Sequence, residues 1–217
     1  MGLFVNSPPR LYLVTDRQHT AGRRLVDVVE QALRGGVDAV QLREKDLGAG
    51  ELLALGRELL GLCRRYGARL LLNDRVDIAL AIGADGVHLP ADSFAPGDAR
   101  HLLGPRAVIG VSTHSLDDAR AAQQAGADFI AFGPIFDTPS KRTFGPPLGL
   151  ESLAAVTHAV TLPVLAIGGI GAQQVAPVRA HGAHGIAVIA AIAEAPDPYR
   201  AARELQGALS GTRHSTS

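Results

Sequence analysis

Short apolar runs alternate with longer amphipathic stretches along the whole chain. Runs this short and this nearly continuous are typical of strands that are buried on both faces of a parallel sheet. The pattern therefore predicts eight parallel strands. The runs are LYLVT (11–15), AVQLR (39–43), RLLLN (69–73), GVHL (86–89), AVIGVS (107–112), FIAFG (129–133), PVLAIG (163–168) and GIAVIA (185–190).

The stretches between the runs have helical character, as in RLVDVVEQALRGG and SLDDARAAQQAG. Several of them end in a glycine that leads into the next run, at Gly36, Gly83, Gly126 and Gly182. A glycine just beyond a helix, followed at once by a strand, is the expected turn between the two. Eight such units in about 210 residues predict a fold of the α/β class, a (β/α)8 barrel.

We expect the barrel to be a single domain over residues 1–217, with residues 211–217 as a frayed polar tail. The alternative is a doubly wound open sheet. That fold normally carries a glycine-rich fingerprint after its first strand, where this chain has TDRQHTAG.

Composition narrows the class of function. Lysine plus arginine and aspartate plus glutamate both number 21, so a balanced surface predicts neither nucleic acid nor a membrane as partner. Cys63 is the only cysteine, which excludes an internal disulfide and a cysteine metal cluster. The opening MGLFVNSPPR is too short, and too soon broken by proline, for a secretory signal, so we expect a cytoplasmic protein.

In barrels of this class the chemistry lies on the loops that follow the strands. Both lysines of the chain fall on that face, which is notable in a sequence that otherwise uses arginine. A lysine is a compact point charge of the kind that binds phosphate. The polar candidates on this face are Asp16, Arg17, Gln41, Arg43, Lys45, Asn73, Asp74, His88, Ser112, Thr113, Thr138, Ser140 and Lys141.

Gln41, Arg43 and Lys45 alternate along the end of the second run. Alternate residues of a strand share one face, so an amide and two cations are expected to point into the barrel mouth. Such a group suits a polyanion. In the alternative, Arg43 or Lys45 pairs with Glu44 or Asp46 in a solvated loop cluster.

Asn73 and Asp74 close the third run and offer hard oxygen ligands. Magnesium is typically held by one or two carboxylates together with substrate phosphates and water, so this pair predicts an Mg2+ site. In the alternative, Asp74 is the N-cap of the helix RVDIALAIG.

A second anion site is expected at the seventh and eighth runs, in AIGGIG and IAVIAA. Backbone N–H groups of Gly168, Gly169, Val188, Ile189 and Ala190 would bind a phosphate there without side-chain charge. In the alternative, the two glycines only permit a tight turn.

Two anion sites suit the joining of a diphosphate substrate to a monophosphate substrate. Lys141 lies between the sites in the loop that follows the sixth run. With Arg43 and Lys45 as further catalytic cations, it is expected to stabilise the charge on departing pyrophosphate.

The motifs QLREK, NDRVDIALAIGADGVHL, GVSTHS, FGPIFDTPSK and AIGGI together resemble the thiamine-phosphate synthase family, from about LYLVTD to IAVIAAI. The resemblance implies a (β/α)8 barrel that couples hydroxymethylpyrimidine diphosphate with thiazole phosphate, using Mg2+ and releasing pyrophosphate. It implies a site of diphosphate ligands, one metal ligand, loop contacts and a thiazole-phosphate turn. In that order, these are Gln41, Arg43, Lys45 and Asn73; Asp74; Ser112, Thr138 and Lys141; and Gly168 with Gly169. Ser140, beside Lys141 in the same loop, is a further candidate substrate-binding residue.

The chain departs from the family pattern at three places. The second magnesium carboxylate of the family falls on Ser93, with Asp92 one residue earlier, so Asp92 is the second candidate ligand. TPSK stands where the family has a threonine before the lysine, and Ala190 replaces a serine.

Two alternative functions remain open on the sequence. HLPADSFAP resembles the sister family of thiazole tautomerases, but those proteins place a histidine where this chain has Pro134. The other alternative is a non-catalytic barrel that binds thiamine precursors. We expect small phosphorylated partners and a homodimer.

Overall fold

Eight parallel strands close into a barrel in the computed structural model, which describes residues 8–138 and 146–211. Each strand pairs with its neighbour in the sequence, and the first pairs with the last. This confirms the predicted fold class; apart from Gly211, the predicted tail lies outside the described residues. The strands are β1 (Leu11–Val14), β2 (Ala39–Leu42), β3 (Arg69–Asn73), β4 (Gly86–Leu89), β5 (Val108–Thr113), β6 (Phe129–Phe132), β7 (Val164–Ile167) and β8 (Gly185–Val188).

Helices follow the strands and form the outer layer. The last helix, α9, packs against α1 and α7 and so covers the place where the barrel closes. No helix within the described ranges is long and apolar enough to cross a membrane. Besides a 3-10 turn at Arg17–His19, the helices are α1 (Leu25–Arg34), α2 (Ala49–Tyr66), α3 (Val76–Ile82), α4 (Pro96–Leu103), α5 (Leu116–Gln124), α6 (Gly149–Ala159), α7 (Ala172–Ala180), α8 (Ala190–Ala193) and α9 (Pro198–Ser210).

Strand alternation divides the apolar side chains into two cores. One set points inward and fills the barrel, with Tyr12 and Phe129 as its largest members. The other set points outward and packs against the helices, where Cys63 of α2 is fully buried and burial raises the pKa of its thiol to about 12. Both faces of the sheet are therefore covered, which is why the strands read as continuous apolar runs.

The predicted strands and turns agree with the structure to within two residues. The difference lies at the strand ends, where several predicted runs include a residue that already belongs to the following loop. Gly36, Gly83, Gly126 and Gly182 all have positive φ, between 65° and 104°, as the turns between helix and strand require.

An aspartate directly precedes each of the strands β2, β4 and β6. Each aspartate accepts hydrogen bonds from backbone N–H groups at the start of the odd-numbered strand that pairs with its own. Asp38 accepts hydrogen bonds from the backbone N–H groups of Arg10 and Leu11, at 3.0–3.2 Å. Asp85 accepts from Leu70 at 2.8 Å, and Asp128 accepts from Ile109 at 2.7 Å. These N–H groups lie at the bottom edge of the sheet, where stagger leaves them without a strand partner. The aspartates thereby satisfy donors that burial would otherwise make costly.

We expect Asp85→Ala to lower the free energy of unfolding by about 1–3 kcal/mol, because it leaves the amide of fully buried Leu70 without its acceptor. Asp117→Ala is the matched control, since the Asp117 side chain is 95% exposed and makes only a 3.9 Å contact with Arg120. Urea unfolding of both variants measures the difference. Equal stabilities would contradict the role given to the aspartates.

Candidate functional site

A cavity of about 540 Å³ opens at the carboxyl ends of the strands. Its wall is mainly backbone and apolar side chains from β6, β7 and β8 and the loops that follow them. The side chain of Val188 packs in the outer core, so this residue faces the cavity with its backbone. Seven of the predicted substrate-binding residues line this one cavity: Ser112, Thr138, Gly168, Gly169, Val188, Ile189 and Ala190.

Two of the predicted diphosphate ligands, the amides of Gln41 and Asn73, lie next to each other at the ends of β2 and β3. Gln41 is nearly fully buried, and its Nε2 lies 3.5 Å from Oδ1 of Asn73. The register of β2 and β3 places Gln41 beside Leu71, two residues before Asn73, so both amides point inward from neighbouring strands. Two adjacent inward amides offer both donors and acceptors to a ligand above the barrel.

Arg43 and Lys45 differ in their surroundings. Arg43 is half-buried, and its positive charge acts on His88 inside the barrel. Lys45 is exposed, and β2 ends at Leu42, so strand alternation does not extend far enough to direct it. Among the described residues, neither cation forms an ion pair within 4 Å, whereas the carboxylates beside them do.

Those two carboxylates, of Glu44 and Asp46, both contact Arg17 on the preceding loop. Glu44 accepts hydrogen bonds from the Thr15 hydroxyl at 2.6 Å and from the Arg17 backbone N–H at 3.0 Å. The Asp46 carboxylate accepts hydrogen bonds from both terminal nitrogens of the Arg17 guanidinium, and these bonds lower the pKa of Asp46. Within the described residues, the alternative pairing of Glu44 or Asp46 with Arg43 or Lys45 is therefore wrong.

Asp74 sits in a left-handed backbone conformation, with φ of 62°. Non-glycine residues rarely adopt it, aspartate and asparagine more often than others, and it recurs at functional sites. The N-cap of α3 is Arg75, so the alternative role of Asp74 as the helix cap is wrong. Its carboxylate instead accepts a hydrogen bond from the Ser93 hydroxyl.

The family pattern has its second magnesium carboxylate at the position of Ser93. The contact between Ser93 and Asp74 therefore joins the two positions at which the family pattern has its metal ligands. Asp92 is exposed one residue earlier. Within the described residues, no cluster of three histidine, cysteine or acidic side chains is arranged to hold a metal. One carboxylate with a hydroxyl beside it fits Mg2+ only if diphosphate and water supply the remaining ligands, which is the usual arrangement for this ion.

The turn after β7 needs glycine at both of its positions. Gly168 and Gly169 have φ of 98° and 64°. A Cβ on Gly168 would lie 2.5 Å from that of Pro134, and a Cβ on Gly169 would lie 2.6 Å from the carbonyl oxygen of Asp137. The turn is therefore required by the fold as well as being part of the cavity wall.

A histidine lies beneath the cavity, inside the barrel. His88 is 3% exposed, and its Nε2 lies 2.9 Å from Oγ of Ser112, which lines the cavity. Burial, with the nearby charge of Arg43, lowers the pKa of His88 to about 3, so its ring is neutral at physiological pH. The sequence placed His88 on the active face but did not predict its bond to Ser112.

Sequence reasoning missed three titratable residues that line the cavity: His19, His114 and Glu194. Nδ1 of His19 lies 2.5 Å from Oε1 of Glu194, and this contact raises the pKa of His19. Both residues line the cavity, together with Asp16. His19 lies on the loop after β1, and Glu194 directly follows α8, the short helix after β8; a position between a strand and the next long helix was the signal available in the sequence.

Ser140 and Lys141 lie outside the described residues, so their predicted roles stay predictions.

Comparison with known proteins gives concordant matches. Residues 11–192 match the family model described as thiamine monophosphate synthase. Two proteins named thiamine-phosphate synthase are similar to the chain: that of Roseiflexus sp. (strain RS-1) is 46% identical over 92% of this chain and 84% of its own, and that of Natronomonas pharaonis is 47% identical over 93% and 95%. The solved thiamine phosphate pyrophosphorylase of Pyrococcus furiosus has a TM-score of 0.84 and 37% identity, covering 93% of this chain and 95% of that one.

We expect Glu44→Ala to lower the free energy of unfolding by about 1–3 kcal/mol, because the Glu44 side chain is 2% exposed and its loss leaves two donors unsatisfied. Asp46→Ala is the matched control: its side chain is 48% exposed, and its ion pair contributes little. Urea unfolding compares the two variants. A loss in Glu44→Ala no larger than in Asp46→Ala would refute a stabilising role for the buried carboxylate.

Proposed function

The chain belongs to the thiamine monophosphate synthase family and functions as a thiamine-phosphate synthase, and we propose how its barrel mouth carries out the coupling. The substrates are a hydroxymethylpyrimidine diphosphate and a thiazole phosphate. One observation carries the proposal: the Gln41–Asn73 amides, followed on the loop after β2 by two cations without an ion pair among the described residues, share a rim with a glycine-walled cavity at β7 and β8.

The reaction needs charge stabilisation more than proton transfer. The lone pair of the thiazole nitrogen forms the new bond to the pyrimidine methylene carbon. The bond from that carbon to the diphosphate oxygen breaks, and its electron pair leaves with pyrophosphate. No proton has to be removed from the nucleophile, so the rate depends on holding the two substrates together and on stabilising the leaving group.

The diphosphate substrate is proposed to bind at the ends of β2 and β3. Arg43 and Lys45 have no carboxylate partner among the described residues, because Arg17 engages the two carboxylates beside them. The amides of Gln41 and Asn73 lie between these cations and the barrel interior. Together the four side chains would supply charge and hydrogen bonds to the pyrimidine diphosphate.

Magnesium is proposed to bind beside this substrate. Asp74 would hold the ion, with Ser93 next to it and Asp92 in the same loop region, and when bound Mg2+ would offset negative charge on the diphosphate. The strained backbone of Asp74 supports this role, since such conformations are kept where function needs a side chain in one direction.

The thiazole phosphate is proposed to bind in the cavity at the other side of the rim. Gly168 and Gly169, with the backbone of Val188, Ile189 and Ala190, would provide N–H donors to its phosphate. Ser112 and Thr138 line the same cavity and would reach the diphosphate from there. A polar backbone wall with apolar sides suits a small heterocycle carrying one phosphate.

Ser140 and Lys141 are proposed, from their place in the chain after β6 and from the resemblance, to add a hydroxyl and an ammonium to the departing pyrophosphate. We also propose a homodimer and a cytoplasmic location.

The activity is tested by incubating the purified protein with both phosphorylated precursors and Mg2+. We expect equimolar thiamine phosphate and pyrophosphate, measured by fluorescence after oxidation and by a coupled pyrophosphate assay. Isomerisation of the thiazole phosphate alone would indicate the tautomerase, and binding of either precursor without turnover would indicate the non-catalytic barrel.

We expect Asp74→Asn to fold normally but to lose most of its Mg2+-dependent turnover, because asparagine also tolerates the left-handed conformation while lacking the charge that binds the ion. Turnover across a Mg2+ titration and the Tm of both proteins measure this. Full activity of Asp74→Asn at low Mg2+ would show that another group holds the metal.

Ser93→Asp is the complementary gain-of-ligand variant. Because the Ser93 hydroxyl already contacts the Asp74 carboxylate, a carboxylate at position 93 would add a second hard ligand at the same place. We expect the Mg2+ concentration for half-maximal activity to fall. An unchanged midpoint would mean that Asp92 already serves as the second ligand or that the loop directs residue 93 elsewhere.

A further inference from the structure

His88 contacts the cavity only through another residue. Its ring lies inside the barrel beside the rings of Tyr12 and Phe129, with centroid separations of 5.8 Å to each, and those two rings contact each other at 5.7 Å. Nε2 reaches Oγ of Ser112, and Ser112 lines the cavity. Nδ1 is buried and has no hydrogen-bond partner among the described residues.

The neighbouring strand is shaped to hold the ring in this position. Gly110 lies in the middle of β5, where glycine is otherwise unfavourable. A Cβ at Gly110 would lie 2.7 Å from Nδ1 of His88 and 2.3 Å from Cζ of Phe129. The unpartnered nitrogen therefore faces the closely packed backbone of Gly110, and no group of the described part of the chain forms a hydrogen bond with it.

The two neutral tautomers of His88 have different consequences. With the proton on Nδ1, a buried N–H would have no acceptor, and the Ser112 hydroxyl would have to donate its only hydrogen to Nε2. With the proton on Nε2, that N–H is satisfied by Oγ of Ser112, and only a lone pair at Nδ1 is unmatched. Buried N–H groups without a partner are the rarer and costlier defect, so the second tautomer is favoured.

We propose that His88 is a positioning residue: its Nε2–H donates to Oγ of Ser112 and leaves the Ser112 hydroxyl hydrogen directed into the cavity as a donor. An acceptor-only group, such as a diphosphate oxygen, is the ligand that such a donor fits. The identity of that ligand rests on the proposed function. The proposal explains why a neutral ring, a strand glycine and a serine occur together on β4 and β5.

The test uses binding of inorganic pyrophosphate with Mg2+, measured by calorimetry, so that no turnover is needed. We expect Ser112→Ala to raise the Kd about tenfold to a hundredfold, as for a hydrogen bond to a charged group. His88→Phe should raise it by a similar factor, and the double variant should bind no more weakly than the weaker single variant. Losses that multiply in the double variant, or a wild-type protein that binds no pyrophosphate, would overturn the proposal.

A second pair of variants separates positioning from packing. The amide nitrogen of glutamine falls near the place of Nε2, whereas that of asparagine falls near the place of Nδ1. His88→Gln should therefore bind pyrophosphate more tightly than His88→Asn, although both replace the aromatic ring. Equal binding by these two variants at matched Tm would leave His88 as a packing residue.

The tautomer itself is read from 15N chemical shifts of histidine-labelled protein, with the His88 signals assigned by their absence from His88→Gln. We expect a protonated Nε2 and an unprotonated Nδ1; a protonated Nδ1 would overturn the proposal. These outcomes are independent of the proposed activity, which fails only if both precursors with Mg2+ give no thiamine phosphate.

Discussion

Closure of the sheet, by pairing of β1 with β8, is the constraint on which the other features of this molecule depend. A closed parallel sheet has no free edges, so every carboxyl end of a strand lies on one rim and every amino end on the other. The stagger of the strands leaves buried N–H groups at the lower rim, and Asp38, Asp85 and Asp128 accept their hydrogen bonds. The lower rim thus serves stability, and the upper rim is free to carry polar groups for chemistry.

The upper rim separates charges that would otherwise neutralise one another. In the sequence Glu44 lies between Arg43 and Lys45, and Asp46 follows Lys45. Both acids nevertheless contact Arg17, on the neighbouring loop. The same contacts join the loop after β1 to the loop after β2. Arg43 and Lys45 form no ion pair within the described residues, because the acids contact Arg17, and a cleft lined by one sign of charge attracts ligands of the opposite sign.

Neutral groups organise the rest of the mouth. The Gln41–Asn73 pair, the backbone of the Gly168–Gly169 turn and the His88–Ser112 pair all offer hydrogen bonds without net charge. Fixed neutral donors need little reorganisation when charge develops on a leaving group, which is where catalysis gains most. The rim therefore combines a few unpaired charges with dipoles held in place by the barrel.

The sequence by itself determined the eight strands and the turns between them, indicated the family, and placed most of the site candidates at the carboxyl ends of the strands. The strands, the turns and the rim positions follow from local periodicity and chain order, whereas the family follows from the resemblance of the motifs. Only the tertiary structure decided that Arg17 takes Glu44 and Asp46, that Asp74 meets Ser93 and that His88 supports Ser112. Each of these contacts joins residues 19 to 29 positions apart, across two neighbouring loops or strands. For each of these groups the sequence offers several possible partners of the same chemistry. Only the folded barrel brings one of them within hydrogen-bond distance.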